Sequence, residues 1–442
     1  MKIGVVGLGK LGLPVALCIA SRGHSVIGFD PRYDSTTDVL SALGRHERGV
    51  IIAEEEGTTT TTAALVDELS PDIDMRCADS LDAVVSGSEL VFVAIQTPHK
   101  KSLGGQCPLP DERADFDYSF LVSACTEIAK ATARSRRHSS PLVLCVISTV
   151  LPGTLRREIV PIFAGNKSVQ LCYNPYFIAM GTVASDFFSP EMVLFGRMDK
   201  EAEDVATRFY ATIHDVDVFS TTLENAELIK VSYNTFITTK IVMTNNLMEM
   251  CHHIPNTDID TVMNALGLAT KRLISKAYLR GGLGDAGGCH PRDNVAMSWL
   301  SDKLGIQNNY YEFIMGKRES QTAFLADLVC NALSLHPELN NVAVVVLGYA
   351  FKPNLNLMDG SCAFLLKHML DRRGITVRMA DPVVESTSVT DCIGKVPAVY
   401  FVGCLHDCLR GVQFPEGSVV IDVNRAFSHQ QGVELVCVGR GR

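Results

Sequence analysis

The sequence predicts an α/β fold: two Rossmann-like doubly wound domains joined by a helical middle with one long central helix. Three observations predict it. A glycine-rich turn between a strand pattern and a helical pattern opens the chain, within residues 2–30. Short apolar runs then alternate with helical stretches, and this alternation begins again near residue 342. Between the two blocks, residues 222–251 contain neither Gly nor Pro and carry apolar residues at helical spacing.

The elements follow in order. Residues 2–6 (KIGVV) read as a buried strand, 10–22 as a helix, and 25–29 (SVIGF) as a second strand that ends at Asp30. The apolar runs 90–95 (LVFVAI) and 142–147 (LVLCVI) continue a parallel sheet, whose strands are buried on both faces. The low-complexity stretch 53–64 (AEEEGTTTTTAA) is expected to be a surface loop or a frayed helix end without chemistry. Residues 222–251 form one long helix, the spine between two halves, and 258–266 extend the helical middle. A second parallel-sheet pattern begins at 342–347 (VAVVVL). It continues through GYAFKP, a helix over 361–372, a strand at 375–379 before Asp381-Pro382, and strands at 398–402 and 418–422. This later block lacks GxGxxG, so a different nucleotide-like group, or none, is expected there.

Bulk properties narrow the function. A chain of 442 residues suggests two or three domains, and 47% hydrophobic residues supply ample core. The net charge of −9 argues against non-specific nucleic-acid binding, which needs a basic footprint. A local basic pocket in an acidic protein still admits an anionic substrate. The 14 Cys show no paired CxxC spacing, which reads as reduced thiols in a cytoplasmic protein. Cys404, His406 and Cys408 sit close together, but no second pair follows, and they read as strand-end residues; no metal is expected. The apolar start has the look of a signal peptide, but glycines interrupt it and no cleavage site follows. No apolar stretch approaches the roughly 20 residues that span a bilayer, so no membrane segment is expected.

The turn is Gly7-Leu8-Gly9-Lys10-Leu11-Gly12. It follows a strand, opens a helix, and has the acidic Asp30 about 20 residues on, which together make a dinucleotide-binding fingerprint. Gly7 permits the tight turn, Gly9 lets backbone approach a pyrophosphate at the helix N-terminus, and Gly12 lets helix pack closely on strand. Asp30 can accept hydrogen bonds from both adenosine ribose hydroxyls and would repel a 2′-phosphate, which favours NAD over NADP. Arg32 is the opposing signal, since a nearby Arg can accommodate that phosphate.

Several segments together resemble the UDP-glucose/GDP-mannose dehydrogenase family: VGLGKLGLPVA (6–16), QTP (96–98), STVLPGT (148–154), NPYFIAMG (174–181), AELIKVSYNTF (226–236), GGLGDAGGCHPRD (281–293) and LGYAFKP (347–353). They occur in family order over nearly the whole chain. The resemblance implies an NAD-binding Rossmann domain (1–205), a helical central and dimerisation domain (206–315), and a C-terminal Rossmann-like nucleotide-sugar-binding domain (316–442). It implies a homodimer, and oxidation of a nucleotide-sugar C6 alcohol to the carboxylate with two NAD. Thr97 and Ser148 match cofactor contacts, and Tyr176, Tyr278, Arg280, Gly284 and Lys352 fall at substrate-binding positions.

Cys289 lies in a glycine-rich stretch where substrate and backbone can approach closely. A thiol becomes nucleophilic when neighbouring cations lower its pKa, and His290 and Arg292 are local candidates for that influence. The resemblance implies that Cys289 is the catalytic thiol. Hydride leaves C6 to give an aldehyde, the thiolate adds, a second hydride leaves, and the thioester is hydrolysed. Lys230 and Asn234, four residues apart, share a helix face. In the family the matching pair stabilises developing oxyanion charge, Asp293 matches a carboxylate that supports water activation, and Thr149 a hydroxyl near the nicotinamide.

Four positions depart from the family pattern. Tyr176 and Met180 stand where the family has Glu, the first tied to thioester hydrolysis, and a phenol of pKa about 10 is a poor base at neutral pH. Met192 and Asp359 stand where the family tends to carry Arg, while Arg280 and Lys352 remain basic and suit phosphates. Three readings stay open: a 6-dehydrogenase making a uronate, with UDP-glucose the default substrate; a variant that stops at the aldehyde or takes an unusual nucleotide-linked substrate; and a non-catalytic dinucleotide-sensing protein.

Overall fold

The computed structural model describes residues 1–33, 51–55, 58–61, 74–110, 112–135, 140–271, 273, 278, 280–284 and 287–440. They form two compact units, residues 1–98 with 116–232, and residues 99–115 with 233–442.

In the first unit, alternating apolar runs and helical stretches build an eight-stranded sheet among the described residues. Its strands are β1 (Lys2–Val6), β2 (Ser25–Phe29), β5 (Met75–Cys77), β6 (Leu90–Val93), β7 (Leu142–Val146), β8 (Val169–Tyr173), β9 (Val193–Arg197) and β10 (Val218–Thr222). The order across the sheet is β10-β9-β8-β7-β6-β1-β2-β5. Pairing is parallel except where β9 meets β8 antiparallel, which turns the last two strands around. The predicted strands at 2–6, 25–29, 90–95 and 142–147 are all present, the last two slightly shorter. Helix α1 (Gly12–Ser21) is buried from Gly12 to Ala20, because the sheet covers one side and helix α4 (Val183–Phe188) packs on the other. Fully burying a Leu, Ile or Val side chain stabilises by about 1.5–3 kcal/mol, so this all-apolar helix fits only a two-sided site. Helices α2 (Leu81–Gly87), α3 (Ser119–Ser135) and α5 (Lys200–Tyr210) complete this unit's framework.

Residues 53–64 correct an expectation. β3 (Ile51–Glu55) and β4 (Thr58–Thr61) pair antiparallel where a loop or frayed helix end was expected. β-Branched threonines favour extended backbone, and a run of one residue type hides the alternation that marks a strand. Residues 56, 57 and 62–64 lie outside the described residues.

The predicted long helix is α6 (Leu223–His253), 31 residues without interruption. Its first ten residues belong to the first unit and its remainder to the second. In the second unit, α7 (Ile259–Gly267) starts at Asp258, whose carboxylate accepts from the Thr261 amide at 3.0 Å. Helices α8 (Cys289–Lys303) and α9 (Tyr310–Leu335) follow. A five-stranded parallel sheet then forms from β11 (Val344–Leu347), β12 (Val377–Ala380), β13 (Val399–Val402), β14 (Val419–Asp422) and β15 (Glu434–Cys437), ordered β12-β11-β13-β14-β15. Helices α10 (Cys362–Asp371) and α11 (Val389–Ile393) pack against it.

Candidate active site

In the first unit the glycine turn and Asp30 meet at the ends of β1 and β2. The backbone carbonyl of Phe29 accepts from the Gly7 amide at 2.8 Å. A Cβ on Gly12 would lie 1.9 Å from the Gly7 carbonyl oxygen, so only glycine admits the observed approach of helix to turn. Above Gly9 the space is open, with Arg32 Nη2 the nearest atom at 3.9 Å from a built Cβ. No side chain caps α1, whose N-cap is Leu11. Lys10 is exposed at the lip of this turn. An open backbone cradle at an uncapped helix N-terminus suits a pyrophosphate.

Asp30 is buried at the end of β2. Its Oδ2 accepts from the Leu8 amide at 3.0 Å, and its Oδ1 accepts from the Arg32 amide at 3.1 Å. The Arg32 guanidinium adds Nε to Oδ1 at 2.9 Å and Nη2 to Oδ2 at 3.0 Å. Burial pushes this carboxyl up, but the bonds from Arg32 and Leu8 win and hold it below the ordinary carboxylate range. Arg32 therefore occupies the carboxylate that the motif reserves for ribose hydroxyls. Its side chain is 55% exposed, so it can leave.

Thr97 and Ser148 meet at the ends of β6 and β7. Thr97 Oγ1 donates to the Thr149 carbonyl at 2.7 Å, and Ser148 Oγ donates to the Ile95 carbonyl. Glu227 of α6 organises the loop that follows Thr149. It is fully buried and accepts from the Leu155 amide at 2.8 Å and from the Gly153 amide. Burial outweighs these two bonds and raises its pKa to about 7. One turn along α6, Lys230 is buried, donates to the Tyr176 backbone carbonyl at 2.7 Å, and sits 5.0 Å from the Phe177 ring centroid.

The Tyr176 side chain turns into the core of the first unit. Its hydroxyl lies 3.2 Å from that of Tyr210, while its ring packs near Phe92 and Phe187. Burial pushes this phenol well above its ordinary pKa. Tyr176 serves Lys230 through its backbone, and its side chain supplies no base at neutral pH. Met180 and Met192 are also on this unit, Met180 packed at its core and Met192 beside Tyr176 in a shallow apolar pocket.

In the second unit, Cys289 is the first residue of α8. Asp293 and Asn294 are fully buried one turn later, and His290 is buried beside the thiol. Asn234 donates to Asp293 Oδ2 at 2.6 Å, and Arg292 Nε donates to Asp293 Oδ1 at 2.9 Å. Burial pushes the Cys289 thiol up, but a hydrogen bond and the charge of His290, with Arg292, outweigh burial and Asp293 and leave it below its ordinary value. The residue before the thiol is fixed by a backbone contact. A Cβ on Gly360 would lie 2.1 Å from the Gly288 amide nitrogen, so the 358–361 loop packs directly on Gly287 and Gly288. Asp359, in that loop, is exposed. Asn245 of α6 donates to the Gly284 carbonyl at 3.1 Å and accepts from the Gly282 amide at 2.9 Å, which holds the glycine stretch. Arg280 and Tyr278 are exposed, and Lys352 is half-buried.

His406 lies elsewhere. It joins Asp381 at 3.0 Å in the core of the C-terminal sheet, with its Nδ1 accepting from the Asn354 amide at 2.8 Å. The structure thus gathers Asn234, His290, Arg292 and Asp293 around Cys289, and separately Asp30, Leu8 and Arg32, and Lys230 with Tyr176. Sequence reasoning missed Glu227, Thr238, Asn245 and Asn294. The signal for Glu227 was a carboxylate inside an apolar helical face, AELIK.

Residues 1–214 match the NAD binding domain of the UDP-glucose/GDP-mannose dehydrogenase family, and residues 224–317 match its central domain. The chain is 27% identical over 396 residues to GDP-mannose 6-dehydrogenase of Pseudomonas aeruginosa, covering 88% of this chain and 83% of that protein. It is 26% identical over 386 residues to UDP-glucose 6-dehydrogenase TuaD of Bacillus subtilis, covering 86% and 76%. Its fold is similar to that of a UDP-glucose dehydrogenase from the archaeon Pyrobaculum islandicum, with a TM-score of 0.79 at 23% identity, covering 99% of this chain and 98% of that one. Among the described residues no helix is long and apolar enough to cross a membrane.

Proposed function

The chain belongs to the UDP-glucose/GDP-mannose dehydrogenase family of NAD-dependent nucleotide-sugar 6-dehydrogenases, and from that premise we propose that it oxidises a nucleotide-sugar C6 alcohol to the uronate through Cys289, with UDP-glucose the default substrate. The observation that carries this reading is the lowered thiol at the start of α8, with Asp293 clamped by Asn234 and Arg292 beside it.

NAD, when bound, supplies the hydride acceptor. Gly7, Leu8, Gly9, Lys10, Leu11 and Gly12 would hold its pyrophosphate, and Asp30 its ribose once Arg32 moves aside, with Thr97, Ser148 and Thr149 lining the far end of the cofactor site. The open cradle at Gly9 and the uncapped α1 fit this group. Lys230 is oriented by the Tyr176 carbonyl, and its ammonium stabilises charge on the C6 oxygen. Asn234 holds Asp293, and Arg292 neutralises it. Cys289 adds to the aldehyde carbon and carries the acyl group as a thioester. Tyr278, Arg280, Gly284 and Lys352 would contact the nucleotide-sugar, the first three from a central domain (206–315) and Lys352 from a C-terminal domain (316–442) in the three-domain reading proposed with it. The working compartment is the cytoplasm.

The test incubates the protein with NAD and a panel of UDP-glucose, GDP-mannose and UDP-N-acetylmannosamine, followed by product mass. Two NADH per product mean the acid. One NADH per product means an aldehyde, the second reading, which the inward-facing Tyr176 hydroxyl favours. Cys289→Ser is expected to abolish acid formation, and acid made at the wild-type rate by that variant would sink the thioester route. A homodimer through α6 is supported by a stripe of exposed apolar residues at seven-residue spacing, Phe236, Met243 and Met250. Met243→Lys with Met250→Lys should shift sedimentation toward the monomer, and an unchanged dimer would exclude that face.

A further inference from the structure

The thiol of Cys289 has a partner of its own in the next residue. His290 is buried at the first turn of α8, and its Nδ1 lies 3.0 Å from Thr238 Oγ1 on α6. The hydroxyl's other bonds settle which atom donates. Thr238 Oγ1 donates to the Asn234 carbonyl at 3.1 Å, which uses its only hydrogen, and it accepts from Asn294 Nδ2 at 3.1 Å. It can therefore only accept from the imidazole, so His290 carries a proton on Nδ1, and Nε2 is left as the basic nitrogen of the residue next to the thiol. Asn294 also donates to the His290 backbone carbonyl at 2.9 Å, so ring and backbone are held by one amide. A cysteine, an imidazole beside it, and hydrogen-bonding groups that fix the imidazole's tautomer are the parts of a thiol–base pair.

We propose that His290 is a catalytic base for Cys289, held in its working tautomer by Thr238 and Asn294 as positioning residues. The idea rests on Cys289 being the nucleophile, as proposed above. In the addition step the S–H bond breaks, its electron pair forms the bond from sulfur to the aldehyde carbon, and the carbonyl π pair moves to oxygen. The thiol proton goes to His290 Nε2. Before hydrolysis the imidazolium releases that proton to solvent; water then adds to the thioester carbon, its proton passes to the freed Nε2, and the carbon–sulfur bond breaks with its pair on sulfur. Asp293 is not available for this role, because Asn234 and Arg292 already hold its two oxygens. The charged groups around the pair are Arg292 and Asp293 on α8, with His99, on a loop, interacting with both and with Asp359. The Nδ1 of the imidazole faces the neutral Thr238 hydroxyl.

Alkylation of the full chain by iodoacetamide, read at Cys289 by peptide mass spectrometry across about pH 5 to 10, reports the thiolate without any nucleotide sugar. His290→Gln is expected to slow Cys289 alkylation at pH 7 by about tenfold, the equivalent of one pKa unit. Thr238→Val should slow it by about threefold, and Thr238→Ser should restore it, which a merely structural Thr238 would not do. Thermal unfolding of each variant checks the fold; if His290→Gln unfolds, the Thr238 pair decides the matter by the same readout. A His290→Gln profile within about twofold of wild type overturns the base, as does Thr238→Ser behaving like Thr238→Val. An active Cys289→Ser overturns the nucleophile reading instead, while leaving the alkylation result standing, so the two failures are told apart.

Discussion

The two larger sheets of this protein place an aspartate at the same topological point and use it in opposite ways. Asp30 ends β2, next to the central strand β1, and Asp381 follows β12, next to β11. Each carboxylate accepts amides from the turn after the neighbouring strand: Leu8 for Asp30, Tyr349 and Ala350 for Asp381. Around Asp30 the other partner is Arg32, through its amide and a side chain more than half exposed. Around Asp381 it is the fully buried His406, together with the amides of Val383 and Val384 at 3.0 Å each. The Asn354 amide donates to His406 Nδ1, so the imidazole donates to Asp381 through Nε2. One carboxylate can change partners and the other cannot. The first is fit to meet a ligand, and the second is a pin for the GYAFKP loop.

Breaking the pin should produce the largest effect. Asp381→Ala leaves a buried imidazole and four amides without their acceptor, and is expected to cost about 3–5 kcal/mol in chemical denaturation. A loss below about 1 kcal/mol would erase the distinction between the two sites. Glu227 sharpens it from another side, as a buried carboxylate that accepts from the Gly153 and Leu155 amides. Its folded pKa, about 7, is above the ordinary value. Its stabilising contribution is therefore complete below about pH 4.5 and lost as pH rises through about 7, a change of roughly 3 kcal/mol. Glu227→Gln should flatten denaturation free energy over that window, and an unchanged slope would refute the assignment. Asp30→Ala should raise the Kd for NAD by about tenfold while shifting Tm by only a few degrees, measured by calorimetric titration and thermal melting. The smallest effect is expected from Arg32→Ala. With no guanidinium to displace, NAD should bind about two- to fivefold tighter, and weaker binding would show that Arg32 itself holds the cofactor.

Much of this was legible in the sequence because it is local. Gly7 to Gly12 and Asp30 are separated by one strand–helix–strand unit, and apolar runs disclosed both sheets. Cys289 was legible only through its segment's resemblance to a family, since a thiol among 14 carries no signal of its own. What stayed hidden depends on partners distant in sequence. The inward turn of the Tyr176 hydroxyl is set by Tyr210, and the tautomer of His290 by Thr238, 52 residues away. Asp381 was readable as a strand end, but its sealing depends on His406, which lies two strands away across β11.

The contact between Gly288 and Gly360 carries a lesson for anyone who would redesign this protein. The two residues lie 72 positions apart, and the constraint runs one way: a Cβ on Gly360 would lie 2.1 Å from the Gly288 amide nitrogen, whereas one on Gly288 would meet nothing closer than 3.5 Å. Gly360 is the position that cannot grow while the Cys289 segment stays in place. The position of the sulfur is adjusted from residues 358–361, a stretch with no reactive role of its own, and an engineer who diversified only the segment around Cys289 would be turning the wrong screw.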